Sequence, residues 1–334
     1  MALIGSSSSF VESTLAQVYK VKEGDYFRGG PAYYMEKALG KRWMGIVFSI
    51  LISITFGLIF NSVQANTVSF AFEKAFNINR MYLGIAISTA TAIIIFGGVK
   101  RIAHAVEYIV PVMAVAYVLV ALFVLAKNFT MIPSVLSSIV SNALGFKQAV
   151  GGGLGVVIMQ GIKRGLFSNE AGMGSTPHAH AIAKVRNPID QGIVAMFGVF
   201  FDTFIILTIT ALIILANVPI DGKMTGISLT QFAFKQGMGQ LGTIFVAVAL
   251  LFFAFSTIIG WYFFGEANIR YLFSSKKSVN IYSYVVLVFI FLGCLLKVEL
   301  VWELADMFNG LMVLPNIIAL IGLSGIVKKG LEEY

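Results

Sequence analysis

The residues best equipped for chemistry in this 334-residue chain crowd into one stretch, GIKRGLFSNEAGMGSTPHAHA at 161–181. Each glycine costs a helix about 1 kcal/mol, and Ser168 and Asn169 compete for backbone hydrogen bonds. The stretch therefore predicts an unwound segment with Gly165, Gly172 and Gly174 in its backbone. Exposed carbonyls can hold a hard cation, and a helix N-terminus can hold a carboxylate. Ser168 and Asn169 are neutral donors and acceptors suited to a zwitterion. Glu170 either neutralises a cation or pairs with Lys163 or Arg164. The plain alternative is a loop rich in turn residues. His178 and His180 lack the further ligands a metal site needs, since His104 is remote and Cys294 is the only cysteine. They read as loop histidines near a membrane surface. No transition-metal site and no cofactor is expected.

Asp202, in VFFDTFI, falls in the middle of an apolar run. A carboxylate at a bilayer centre costs about 2.5–3.5 kcal/mol on insertion scales, so it must face the interior. It is either an ion or proton site or an interhelical hydrogen-bond partner. Thr257 and Trp261 are four apart and share a helix face. Asp306 and Asn309 share another face and read as gating or packing groups, and Pro315 should kink their helix. GxSxG and HExxH are absent, and the single cysteine has no nearby histidine, so an intramembrane enzyme is not expected. No repeated filter loop or ring of charge suggests a channel.

What must position these groups is a set of membrane-crossing helices. Residues are 58% hydrophobic and 12% charged, with mean hydropathy +0.87, about half the charge of a soluble domain. Apolar runs fall at 43–70, 81–99, 104–126, 192–216, 240–264 and 301–327. Shorter ones lie at 149–162 and 281–296, and a partial one at 2–18. The pattern predicts one transmembrane domain over 1–334 with about 8–9 passes. Of the 24 basic residues, 17 fall in one alternating set of loops, which assigns that set and the C-terminus to the cytoplasm. The net charge of +8 sits at the ends of apolar runs and not on one patch, so no nucleic-acid partner is expected.

The 161–181 stretch resembles the signature of the alanine or glycine:cation symporter family. Agreement continues in order through FRGGPAYYMEKALG (27–40), SVQANTVS (62–69), FGGVKRIA (96–103), QGIVAMFGVFFDTFIILTITALIIL (191–215), LFFAFSTIIGWYFFGEANIRYLF (251–273) and LVWELADMFNGLMVLPNIIAL (300–320). The resemblance implies an all-α, polytopic protein of the cell membrane of a prokaryote. It implies a leucine-transporter-like fold of two inverted repeats and symport of alanine or glycine with sodium, with proton coupling as the alternative. Residues 161–181 would then form or adjoin the broken helix that opens the second repeat. The resemblance further implies sodium binding at Ser256 and Thr257, and Asp202, as a candidate ion site by its position, joins them as a sodium candidate. The resemblance implies substrate contacts from Thr257 and Trp261, with the indole limiting substrate size, and Gln64, Ser168 and Asn169 are further substrate-contact candidates by their hydrogen-bonding chemistry. A polar interhelical contact is the alternative for Gln64, and an interfacial belt position for Trp261. Family members carry an earlier Gly- and Asn-rich broken helix that is not found here. The expectation is a chain lacking that helix, and hence an inactive fragment as a further possibility.

Overall fold

The computed structural model describes residues 2–24, 26–143, 154–219 and 224–334. The first five residues of the 149–162 run lie outside these. Helix α1 (Ala2–Val18) leads into a two-stranded antiparallel hairpin, β1 (Val21–Glu23) and β2 (Tyr26–Arg28), which the sequence reading did not anticipate. Pro31, at the first position of α2 (Pro31–Lys37), presets the helical φ where an N–H has no partner in any case. A rod follows from Arg42 to Phe76: α3 (Arg42–Ile54), a π-helical turn (Thr55–Phe60) and α4 (Asn61–Phe76). Then come α5 (Arg80–Ile95), α6 (Val99–Ala126) and α7 (Ile132–Ala143). Helix α8 (Leu154–Asn169) ends at a break, and α9 (Pro177–Ile182) resumes beyond it. Helix α10 (Pro188–Phe201) continues through a second π-helical turn (Asp202–Leu207) into α11 (Thr208–Asn217). The chain closes with α12 (Ile227–Met238), α13 (Gln240–Leu272), α14 (Lys276–Leu295) and α15 (Val298–Glu332). The result is an all-α polytopic membrane architecture.

Among the described residues, six helical rods are long and apolar enough to cross a bilayer: 42–76, 99–126, 188–217, 240–272, 276–295 and 298–332. Their ends carry local stop and start signals. Asn187 and Asp190 form a reciprocal capping box on α10, and Asn79 caps α5 by accepting from the Met81 amide at 2.9 Å.

Two bodies of packing are visible. Helices α3, α4, α5, α13 and α14 pack on one another around the main core. Helix α1 lies along α10 and touches α9, while α15 reaches both groups. A smaller core joins α6, α11, α12 and α13. Close approach uses small residues and buried hydroxyls. Tyr282 donates to the Ser53 carbonyl at 2.9 Å, seated between Gly57 and Gly265. Ser62 and Asn66 of α4 donate to carbonyls of α14 and its C-terminal end, at Phe289, Gly293 and Leu296. Such bonds fasten helices where lipid offers no alternative partner.

The loops gather at two ends. At one, Arg28 pairs with Glu23 and Arg270 with Glu266, and Lys100 and Lys184 share a recess with Tyr26 and Phe27. Burial pushes the Arg28 guanidinium below its usual range, and Glu23 opposes that. At the other, Lys74, Arg80, Thr225, Lys297 and Glu299 line one depression.

A β-carbon added at Gly57 would stand 1.6 Å from the Tyr282 hydroxyl oxygen and 2.6 Å from the ring. Gly57→Ala should therefore lower the melting temperature of purified protein by more than Tyr282→Phe does. The latter removes one hydrogen bond worth about 1 kcal/mol. A thermal-shift series in detergent checks the order.

Candidate functional site

Helix α8 stays regular through Asn169, so Gly165 lies inside the helix and not in the break, which corrects the sequence expectation. The break is Glu170 to Thr176. It starts with Glu170 at φ +57° and contains Gly172 at φ +86° and Gly174 at φ +79°. A β-carbon at Gly174 would meet Pro31 at 2.5 Å and Phe48 at 2.8 Å, so both conformation and packing demand glycine. The Asn169 side chain accepts from the Ala171 amide at 3.2 Å, which starts the turn.

Buried polar groups hold the break from two sides. On one side is Glu12 of α1, fully buried, whose Oε1 accepts from the Gly174 amide at 3.0 Å and from Asn316 Nδ2. Asn316, one residue after Pro315 in α15, also donates to the Gly172 carbonyl at 3.0 Å and accepts from the Tyr34 hydroxyl at 2.5 Å. On the other side, the Ser49 hydroxyl donates to Asn268 Oδ1 at 2.9 Å, and Asn268 Nδ2 donates to His178 Nε2 at 2.7 Å. The remaining ring nitrogen, Nδ1, is 2.8 Å from the Ser175 carbonyl. This chain is self-consistent with a neutral imidazole protonated at Nδ1. His178 is 2% exposed and stacks on Phe48, which corrects the expectation of a loop histidine at a membrane surface. His180 Nδ1 meets Gln191 at 2.5 Å. Among the described residues no group of His, Cys, Asp and Glu could hold a transition metal.

Glu170 does not pair with Lys163 or Arg164. Both cations go to Asp306 of α15, Arg164 through two 2.6 Å contacts. Asp306 is thus a charge partner rather than a packing group. Glu170 instead accepts from the Ser175 hydroxyl at 2.6 Å and from the Trp261 indole at 2.7 Å. Trp261 is 5% exposed within a cluster of Phe56, Phe60 and Phe167, so it is no belt residue.

A cavity of about 490 Å³ opens beside the break. Ser168, Asn169, Asp202, Ser256, Thr257 and Trp261 all line it, together with Glu170. Asp202 opens the π-helical turn of its rod, and such turns recur at functional sites. The Asp202 Oδ2 is buried without a hydrogen-bond partner. Ser256 and Thr257 donate to the Phe253 carbonyl at 2.8 and 2.9 Å. Their protons are used within the helix, which leaves oxygen lone pairs for a cation. Gln64 is the exception. It lies half-buried on α4 and does not line the cavity, and its neighbours Ser62 and Asn66 serve the α4–α14 contact.

Sequence reasoning passes over Glu12, Asn316 and Asn268. A lone glutamate in the apolar SFVESTLAQV was a usable signal, because ionisable residues in such segments are rare and costly. The two asparagines carry no such mark.

Comparison with known proteins adds the family. The family model described as the sodium:alanine symporter family matches residues 1–334. A Bacillus subtilis protein named "Probable sodium/glutamine symporter GlnT" is 53% identical, over all of this chain and 70% of its own length. The B. subtilis "Amino-acid carrier protein AlsT" is 51% identical over all of this chain and 72% of its own. The Methanococcus maripaludis "Sodium/alanine symporter AgcS" is 38% identical, covering all of this chain and 75% of its own.

Asn268 serves three partners, Ser49, His178 and the Phe264 carbonyl. Asn268→Ala leaves buried groups unpaired at about 1–3 kcal/mol each. It should lower the melting temperature by more than Ser49→Ala, which removes one of those bonds.

Proposed function

The chain belongs to the sodium:alanine symporter family, and from that premise we propose that it moves a small neutral amino acid, alanine or glycine, together with sodium by alternating access. It is a multi-pass membrane transporter and not an enzyme. One observation carries the finer reading: six residues from two separate rods and the end of α8 converge on one cavity beside an unwound backbone. Unwound backbone at membrane depth survives only where protein shelters it or where it lines a wet cavity. In broken-helix transporters that is where substrate and ion sit.

Roles follow from chemistry. Asp202 offers an unpaired carboxylate oxygen, and Ser256 and Thr257 offer lone pairs, an all-oxygen set suited to sodium. Ser168 and Asn169 face the zwitterion's polar end. Trp261, fixed by Glu170, walls the side-chain end. In this reading α8, the break and α9 form the broken helix of the second of two inverted repeats. The basic asymmetry of the loops supports a cytoplasmic C-terminus.

A second substrate reading has its own support. The cavity's volume leaves room for a side chain longer than a methyl group, and one relative is named for glutamine. Proton coupling is the alternative for the ion. Both Glu170 oxygens already accept from donors, which leaves Asp202 as the better carrier.

Radiolabelled alanine, glycine and glutamine uptake into proteoliposomes, with sodium or proton gradients imposed separately, tests all of this. A sodium gradient should drive uptake, Asp202→Asn should abolish the sodium stimulation, and Thr257→Val should raise the sodium concentration for half-maximal rate several-fold. Uptake driven by protons alone would sink sodium coupling. No uptake under any gradient would overturn the symport reading. For sidedness, Cys294 is buried, so the parent chain should resist an impermeant maleimide. In intact cells a cysteine placed at Lys74 should react, and one placed at Glu333 should not.

A further inference from the structure

We infer that Glu12 is a positioning residue for the substrate-facing segment Ser168 to Glu170, acting through the Gly174 amide and Asn316 without touching substrate or cation. The inference rests on the symport reading of the cavity. Glu12 is fully buried yet absent from the cavity wall. Its Oε1 takes two donors from two different elements, the break and α15. Its Oε2 is buried with no partner. A carboxyl group left half-satisfied in a dry interior costs stability, and an apolar residue would serve α1 more cheaply. Its place in α1 is therefore explained by the donors it meets. Without Oε1, the Gly174 amide and one Asn316 hydrogen would be buried and unpaired.

The path to the cavity is short and tightly fastened. Gly174 is wedged against Pro31 and Phe48, which leaves it little room to move. The next residue, Ser175, donates back to Glu170, and Glu170 accepts from Trp261 at the cavity wall. The Ala171 amide ties Glu170's other neighbour to Asn169. Release of Gly174 therefore loosens Ser175, then Glu170, then the Ser168–Asn169 end of α8. The second carboxylate at the break, Glu170, lines the cavity, while Glu12 does not. The carboxylate that lines the cavity at the break is therefore Glu170, whose charge suits the ammonium of an amino acid better than its carboxylate.

The acceptor at Oε1 is what matters on this view, so a glutamine should serve where a leucine cannot. The test compares Glu12→Gln, Glu12→Leu and Asn316→Leu in purified full-length chain, with Glu23→Gln at the exposed hairpin as control. Two readouts are needed. The first is sodium-dependent binding of radiolabelled alanine and glutamine. Glu12→Leu and Asn316→Leu should weaken it about tenfold or more, the scale of one buried donor left unpaired. Glu12→Gln should remain near the parent. The second is hydrogen–deuterium exchange over the break. The Gly174 region should lose protection in Glu12→Leu and keep it in Glu12→Gln. Lower melting temperature with unchanged affinity would reduce Glu12 to a structural group and overturn the inference, as would unchanged protection in Glu12→Leu. Glutamine failing as badly as leucine would also overturn it. If the parent binds no amino acid with sodium, the symport reading fails, and exchange alone decides whether Glu12 holds the break. Should Glu12→Leu not fold, Glu12→Asp withdraws the acceptor by one methylene and takes its place.

Discussion

A stretch of backbone that is neither helix nor sheet, set among apolar rods, must have its polar groups met by protein. In hydrocarbon an unpaired amide or carbonyl costs several kcal/mol, so every such group needs an internal partner or a wet cavity. The rest of this structure is arranged around that demand at Glu170 to Thr176. Helix α1 sends in Glu12, α15 sends Asn316, and α13 sends Asn268 and Trp261. These helices lie in different parts of the chain, which is why the conformation of the break is specified by the assembled fold as well as by its own glycines.

The same economy explains what is left unsatisfied. Several backbone groups in the break are tied down, whereas Asp202 Oδ2 has no partner, and Ser256 and Thr257, which line the cavity, keep oxygen lone pairs after donating within their helix. Lys163 and Arg164, the cations nearest in sequence to the break, are drawn off by Asp306 and, for Arg164, by the face of Trp302 at 4.8 Å. With those charges engaged elsewhere, neither cation neutralises the acidic groups at the cavity.

The packing also fastens the two bodies more tightly within than between. The α3, α4, α5, α13 and α14 body is joined by hydroxyl-to-carbonyl bonds and glycine contacts. The α1, α9 and α10 body is joined by Gln17, which donates to the His180 carbonyl at 2.5 Å and to that of Ala183 at 2.9 Å. Between the bodies run a few single hydrogen bonds, Asn268 to His178 and Trp261 to Glu170. Bonds of that kind are each worth about 0.5–3 kcal/mol net, so few strong polar ties join the two bodies.

Much of this was legible in the order of residues. Composition and apolar run length require lipid as solvent, and the glycine-rich interruption at 170–176 breaks a helix because of local conformational preference alone. Asp202, Ser256, Thr257 and Trp261 stand out because polar groups are costly in such runs. The family resemblance adds their grouping, and the cavity brings them together. Gly165 and Gln64 went astray because composition cannot tell a helical glycine from an unwound one, or one polar helix face from another. Glu170's partner was misjudged for a related reason: closeness in sequence favoured Lys163 and Arg164, but a helix turns 100° per residue and carries them toward α15 instead. Glu12 and Asn316 are 304 residues apart in sequence and share one hydrogen bond. Local preference acts over a turn or two of chain, so which distant groups close over the break was decided only when the helices packed.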